Sequence, residues 1–213
     1  WRPATFVAAG AGLVTLYGAY AKGPTGQSLG LALLLLGAMG WTVLDAGRGH
    51  TAASLGATCL MGLWVPLGAS FIGLLLARPN GQWYVMATVA LTVTTDIGAF
   101  AFGSRFGRHR LAPTISPAKT WEGLAGGIVT VLLVAGLVTA RVPGFDVVSA
   151  LVLGAGVGVA ATVGDLAESM VKRDMGIKDL GGILPGHGGI MDRADAILFS
   201  LPVAHLLLLA LGR

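Results

Sequence analysis

The stretch VVSALVLGAGVGVAATVGDLAESMVKR, residues 147–173, decides what kind of fold this chain adopts. From Val147 to Gly164 it holds no ionisable side chain. An apolar run of about 20 residues is what a bilayer-crossing helix requires. Charge then arrives at once, with Asp165, Glu168, Lys172 and Arg173. A spanning helix over 147–170 is therefore predicted, with Asp165 closing its apolar part. Glu168, Ser169 and Lys172 follow Asp165 at i+3, i+4 and i+7, on the same helical face.

The rest of the chain repeats the pattern. Of 213 residues, 54% are hydrophobic and 11% charged, with a mean hydropathy of +0.79. Soluble domains carry about 25% charged residues, so lipid is the solvent for most of this surface. Apolar runs at 4–21, 28–44, 51–77, 83–103, 123–141, 147–170 and 190–212 predict an all-α, polytopic transmembrane helical bundle of about seven spanning helices with cytoplasmic polar loops. The third run is long enough to tilt or to kink at Pro66. Residues 1–82 form an N-terminal set of helices and 83–213 a C-terminal catalytic region. The 34 glycines, Gly126–Gly127 and Gly154–Gly158 among them, read as close helix packing, and such small-residue faces are compatible with a homodimer. No strand pattern competes. The chain starts at Trp1 rather than Met, and its first apolar run lacks a basic leader or cleavage motif. It reads as a spanning helix with an upstream piece expected before it, not as a signal peptide.

Two connections are more than turns: 104–122 and 172–189. They lie on one side of the bundle and, with the loop at Arg48, carry Arg105, Arg108, Arg110, Lys119, Lys172, Arg173 and Lys178. The opposite loops hold Lys22, Arg78 and Arg141. The excess of Lys and Arg predicts a cytoplasmic location for both loops, in a multi-pass protein of the cell (cytoplasmic, inner) membrane. A net charge of +4 suits membrane lipids with anionic headgroups. No nucleic-acid partner is expected, because no basic tract with interleaved aromatics occurs. The single cysteine, Cys59, excludes an internal disulfide and reads as a small buried hydrophobe.

Six of the ten acidic residues fall between Asp165 and Asp195. Carboxylates beside a bilayer are costly unless paired, hydrated or metal-bound. Asp165, and Asp192 with Asp195 at the entry to the last helix, supply the oxygen-only ligands that suit Mg²⁺. Ion pairs, Asp165 with Lys172 or Asp192 with Arg173, are the competing reading. Between these helices runs KDLGGILPGHGG, residues 178–189, with five glycines in twelve positions. Glycine permits close backbone approach, and successive amides form anion-binding nests. Lys172, Arg173 and Lys178 add positive charge there. Carboxylates, glycine nest and cations together describe a metal–polyphosphate site, although no P-loop pattern is present. His187 is a candidate phosphate donor or proton shuttle. No partners can be named for His50, His109 and His205.

The other loop contains SPAKTWEG, residues 116–123. Lys119 can bind phosphate as a point charge, and Ser116 and Thr120 can donate hydrogen bonds. Helix capping by Thr120, with Glu122 in the first turn, is the stronger reading of that segment taken alone. Asp96, inside an apolar helix, is a candidate functional residue by placement.

These residues resemble a known signature. Ser169-Met170-Val171-Lys172-Arg173, Lys178-Asp179 and the run from Pro185 through Gly186, His187, Gly188, Gly189 and Asp192-Arg193 to Asp195 are similar to the phosphatidate cytidylyltransferase family. So are Gly164-Asp165-Leu166, Asp96 with Gly98-Ala99, and the blocks Ser116-Pro117, Lys119-Thr120 and Glu122-Gly123. Ala194 and Ala196 depart from the residues usual there, both outside the proposed ligands. The resemblance implies that CTP and phosphatidate are converted to CDP-diacylglycerol and pyrophosphate. It implies a metal pair that includes Mg²⁺ at Asp165 and Asp192, with Asp195 a further candidate ligand. Lys172, Arg173, Lys178, Asp179, His187 and Arg193 would join Asp165 and Asp192 in catalysis. Asp96, Ser116, Lys119, Thr120, Glu122, Ser169, Gly186, Gly188 and Gly189 would bind substrate. The chemistry agrees: a phosphate monoester, with a second pKa of about 6, is already substantially dianionic at neutral pH, so the problem is charge screening rather than base catalysis. Two alternatives are a cation-coupled transporter using Asp96 and Asp165, and a CDP-alcohol phosphotransferase-like enzyme, whose DG…AR…G…D…D pattern is missing.

Overall fold

The computed structural model describes residues 3–44, 51–177 and 191–213, the last without the side chains of residues 191–193. Its helices are α1 (Thr5–Lys22), α2 (Pro24–Leu44), α3 (Thr51–Gly62), α4 (Gly68–Leu76), α5 (Gly81–Phe106), α6 (Trp121–Leu137), α7 (Val147–Asp174) and α8 (Met191–Ala210). A π-helical segment, Leu63–Leu67, joins α3 to α4 in one rod. The seven predicted rods are all present, in an all-α membrane architecture. Among the described residues, five are long and apolar enough to cross a membrane: Pro24–Leu44, Thr51–Leu76, Gly81–Phe106, Trp121–Arg141 and Val147–Asp174. The two terminal rods fall short of that measure. α1 is rich in alanine and glycine, and the described apolar part of α8, Ala194–Ala210, is shorter than 18 residues.

The chain divides into two units, Trp1–Gly81 and Gln82–Arg213. In the first, α1 and α2 form a hairpin turned at Gly23, whose φ of 61° is one that glycine adopts without penalty. Gly18 and Gly26 face each other backbone to backbone, and no Cβ fits at either. Pro66 lies in the π segment, so the bend expected there takes the form of a widened turn, which accommodates the missing N–H. Pro66 packs on Gly12, where a Cβ would stand 2.7 Å from Pro66 Cγ. Gln27 Nε2 donates to Ser70 Oγ at 2.8 Å, which satisfies both groups inside the bundle.

In the second unit small residues set the helix spacing. On α5 a Cβ at Gly98 would lie 2.6 Å from Thr130 Oγ1 and 3.2 Å from Gly127 Cα on α6. A Cβ at Gly123 would meet Ala99 O at 2.8 Å and Gly103 Cα at 3.1 Å. Against α7, Gly154 stands on Ala135 and Gly158 on Ile128, so these glycines serve packing, as the sequence predicts. Gly164 of α7 meets Phe199 of α8 in the same way. That contact fixes the height of α8 one turn beyond Asp195. Thr88, Thr92 and Thr95 of α5 are buried, and each hydroxyl donates to the carbonyl four residues earlier.

Three expectations need correction. The 104–122 segment is not an open loop. α5 continues to Phe106, and an antiparallel hairpin follows, β1 (Arg110–Ala112) paired with β2 (Ser116–Thr120), Arg110 opposite Thr120. Three- and five-residue strands are too short to show a period-two pattern. The 172–189 segment begins with helix, because α7 runs to Asp174. Asp165 therefore lies within α7, not at its end. The extension is supported by the Glu168–Lys172 pair and by Lys172 and Arg173 in the last turn, where cations suit the carbonyl end of the helix.

Candidate active site

Four elements of the second unit meet at one end of α5. The hairpin after α5 brings its turn to the end of α7: Arg173 Nε donates to Ile115 O at 3.3 Å. The close α5–α6 crossing and the hairpin enclose a cavity of about 590 Å³. Its polar lining comes from Asp96, Ser104, Arg110, Lys119, Thr120, Thr162 and Asp165. Gly103, Gly107 and Gly123 let the backbones of α5, the hairpin and α6 converge around it. Phe100 lines the same cavity and is 78% exposed, so an apolar flank adjoins the polar interior.

The central contact is ionic. Lys119 Nζ stands 2.6 Å from Asp165 Oδ2, tying β2 to α7. Ser169 Oγ donates to Asp165 Oδ1 at 3.4 Å. Asp195 is 8% exposed. Asp96 lines the same cavity as Lys119 and Asp165, so α5, β2 and α7 each bring a charged side chain to it.

Several predicted residues take other partners. Thr120 Oγ1 accepts from Gly123 N at 3.1 Å and caps α6, so the capping reading holds. Glu122 does not line the cavity. Its carboxylate accepts from the amides of Arg108 and His109 and contacts His109 Nδ1 at 2.5 Å, stapling the start of the hairpin segment to α6. Ser116 opens β2 opposite Ala112 and also lies off the cavity. Lys172 Nζ donates to Glu168 Oε1 at 3.0 Å; the pair replaces the anticipated Asp165–Lys172 contact. Glu168 is fully buried there and the Lys172 side chain 16% exposed. Lys178, Asp179, Gly186, His187, Gly188 and Gly189 lie outside the described residues, as do the side chains of Asp192 and Arg193.

The cavity also contains residues that sequence reasoning passed over. Thr162 precedes Asp165 by one turn, so helical periodicity could have found it. Arg110 was legible only as one of many loop cations. The pairing of His109 with Glu122 spans 13 positions and left no sequence signal.

As a metal site the oxygen-only donor set of Asp96 and Asp165 suits a hard ion such as Mg²⁺, which takes one or two carboxylates together with water and phosphate oxygens. Among the described residues no group of three His, Cys, Asp or Glu side chains is placed to hold a metal ion.

Residues 2–211 match the model of the Cytidylyltransferase family. The chain belongs to that family. Among curated cytidylyltransferases it is similar to the phosphatidate cytidylyltransferase of Mycobacterium tuberculosis, 41% identical over 164 residues, covering 75% of this chain and 49% of that protein. The Mycobacterium leprae phosphatidate cytidylyltransferase is 43% identical over 152 residues, 70% of this chain and 47% of the relative. The phosphatidate cytidylyltransferase of Staphylococcus aureus is 39% identical over 155 residues, 72% and 59% of the two chains. The chain spans about half the length of the curated relatives it matches. Membership in the cytidylyltransferase family favours neither the transporter nor the CDP-alcohol phosphotransferase alternative.

Proposed function

We propose that this cytidylyltransferase is a phosphatidate cytidylyltransferase of the cytoplasmic membrane, its cavity facing the cytoplasm. A phosphate oxygen of phosphatidate attacks the α-phosphorus of CTP. A new P–O bond forms, the bond from the α-phosphorus to the bridging oxygen breaks, and pyrophosphate leaves with that oxygen and its electron pair, giving CDP-diacylglycerol. The observation that carries the reading is the Lys119–Asp165 contact at a cavity that combines charged side chains with the exposed apolar Phe100 of α5. Such a place admits a charged headgroup while the acyl chains stay in lipid.

The residues have separate tasks. Lys119 offers positive charge to anionic substrate oxygens, and Asp165 holds its ammonium in position. Asp165 on α7 and Asp192 on α8, with Asp195 a further candidate, would hold Mg²⁺ and a second metal ion. When bound, such ions screen the repulsion between phosphates and stabilise the charge developing on the leaving group. Arg173 and the 178–189 segment supply further cations and amides for the nucleotide. Little general-base work is needed, because the attacking phosphate is already anionic.

The deciding assay is labelled CTP with phosphatidate and the full-length protein in detergent, with and without Mg²⁺. CDP-diacylglycerol and pyrophosphate in equal amounts are expected, dependent on the metal. Absence of the CDP-lipid at any Mg²⁺ concentration would rule the reading out.

A further inference from the structure

The cavity holds two cations in different electrostatic situations. Lys119 is matched by Asp165 at 2.6 Å. Arg110, the first residue of β1, donates from Nη1 to Pro117 O at 2.5 Å, and among the described residues it meets no carboxylate. A carbonyl fixes a guanidinium in place without cancelling its charge. Arg110 lines the same cavity as Lys119 and Asp165. Arg173 is anchored to the same hairpin, donating from Nε to Ile115 O at 3.3 Å. Two guanidiniums are thus held by carbonyls two residues apart.

A guanidinium carries five N–H donors in a planar fork, and it matches phosphate oxygens two at a time. One bond to Pro117 leaves most of that fork for a ligand. Phe100 and Leu111 line the same cavity, so apolar and charged side chains share its wall. We propose that Arg110 is a phosphate-binding residue of this cavity, presenting its unpaired donors to a substrate phosphate group. The proposal rests on the transfer reaction above and adds to it a ligand-binding side chain.

The phosphate can belong to the lipid headgroup or to the nucleotide, and kinetics separate the two. Arg110→Gln keeps a donor for Pro117 O but removes the charge; Arg110→Lys keeps the charge but loses the fork. With the full-length protein in detergent, initial rates are measured while dioctanoyl phosphatidate and CTP are varied separately. Melting shifts caused by each ligand are recorded on the same samples. Arg110→Gln is expected to raise one KM by about tenfold and Arg110→Lys by less, with loss of the matching melting shift. A raised lipid KM assigns the headgroup, and a raised CTP KM assigns the polyphosphate. An active wild type whose two KM values and two melting shifts are unchanged in Arg110→Gln overturns the proposal and leaves the transfer reaction standing. An inactive wild type that still shows a phosphatidate or CTP shift, lost in Arg110→Gln, overturns the transfer reaction and leaves the phosphate site standing. A wild type with neither turnover nor a shift removes both.

Discussion

Lys119 and Asp165, 46 positions apart in the sequence, meet at 2.6 Å and join the hairpin to α7 inside the cavity. The contact makes each residue the other's positioning partner. It predicts that Lys119→Ala and Asp165→Asn each lower CDP-lipid formation by at least ~10²-fold, because the first removes positive charge offered to the reacting phosphates and the second removes the carboxylate that holds it. The double variant should lose little more than either single one, since coupled residues are strongly non-additive. Multiplying effects, measured per folded molecule, would show that the two act apart.

Lys172 carries a different expectation from the one its place in the signature implies. It is an ion partner of Glu168, which has no exposed surface. Removing a partner of a buried charge costs about 3–5 kcal/mol, so Lys172→Ala should lower stability by an amount of that order. Chemical denaturation in detergent reads it directly. A Lys172→Ala protein as stable as wild type but impaired in turnover would return Lys172 to the substrate phosphates.

Glycine contacts sort by what a methyl group would meet. Gly123→Ala places Cβ 2.8 Å from Ala99 O and 3.1 Å from Thr120 Oγ1, and overpacking of this kind costs about 1–3 kcal/mol. Gly136→Ala meets only Leu151 Cδ2 at 3.5 Å, so the gain in helix propensity, up to ~1 kcal/mol, should leave it neutral or stabilised. The melting temperature should fall in Gly123→Ala and hold or rise in Gly136→Ala; an unchanged Gly123→Ala would mean that the α5–α6 crossing relaxes freely.

Glu122 acts as a staple, on the contacts it makes. Glu122→Gln should speed hydrogen exchange of the Arg108 and His109 amides by on the order of tenfold, with a much smaller effect on either KM. A large change in one KM with amide protection intact would place Glu122 at the substrate instead.

The orientation is open to direct labelling. With Cys59 replaced by alanine, Ser104→Cys should react with membrane-impermeant maleimide from the cytoplasmic side only, because the Lys and Arg excess lies there. Labelling from the outer side alone would invert the topology.

The helices were legible because lipid imposes one rule, a long apolar run, and that rule acts on each segment separately. Capping by Thr120 was legible for the same reason: it acts across three residues. What escaped was non-local or short. The hairpin of 110–120 is too brief for alternation, and its closure depends on Glu122 reaching back to Arg108 and His109. Asp165 looked like a helix end because charge begins there, yet the Glu168–Lys172 pair carries α7 on to Asp174. Asp96, Lys119 and Asp165 were each visible as candidates, but only the close α5–α6 crossing and the turn of the hairpin bring them to one cavity. Arg110 offered no distinguishing signal, since its role depends on which oxygen it faces.

The staple between Glu122 and the segment after α5 has a consequence for how the protein is made. Asp96, Arg110 and Lys119 all lie between the start of α5 and the start of α6, and the contacts of Arg110 to Pro117 and of Glu122 to Arg108 and His109 are local in sequence. Local contacts close early, and chains fold progressively during synthesis. One wall of the cavity can therefore assemble as soon as α6 has left the ribosome. Lys119 then waits without its carboxylate until the translocon releases α7, and the arrival of Asp165 makes insertion of that helix the step that completes the pocket.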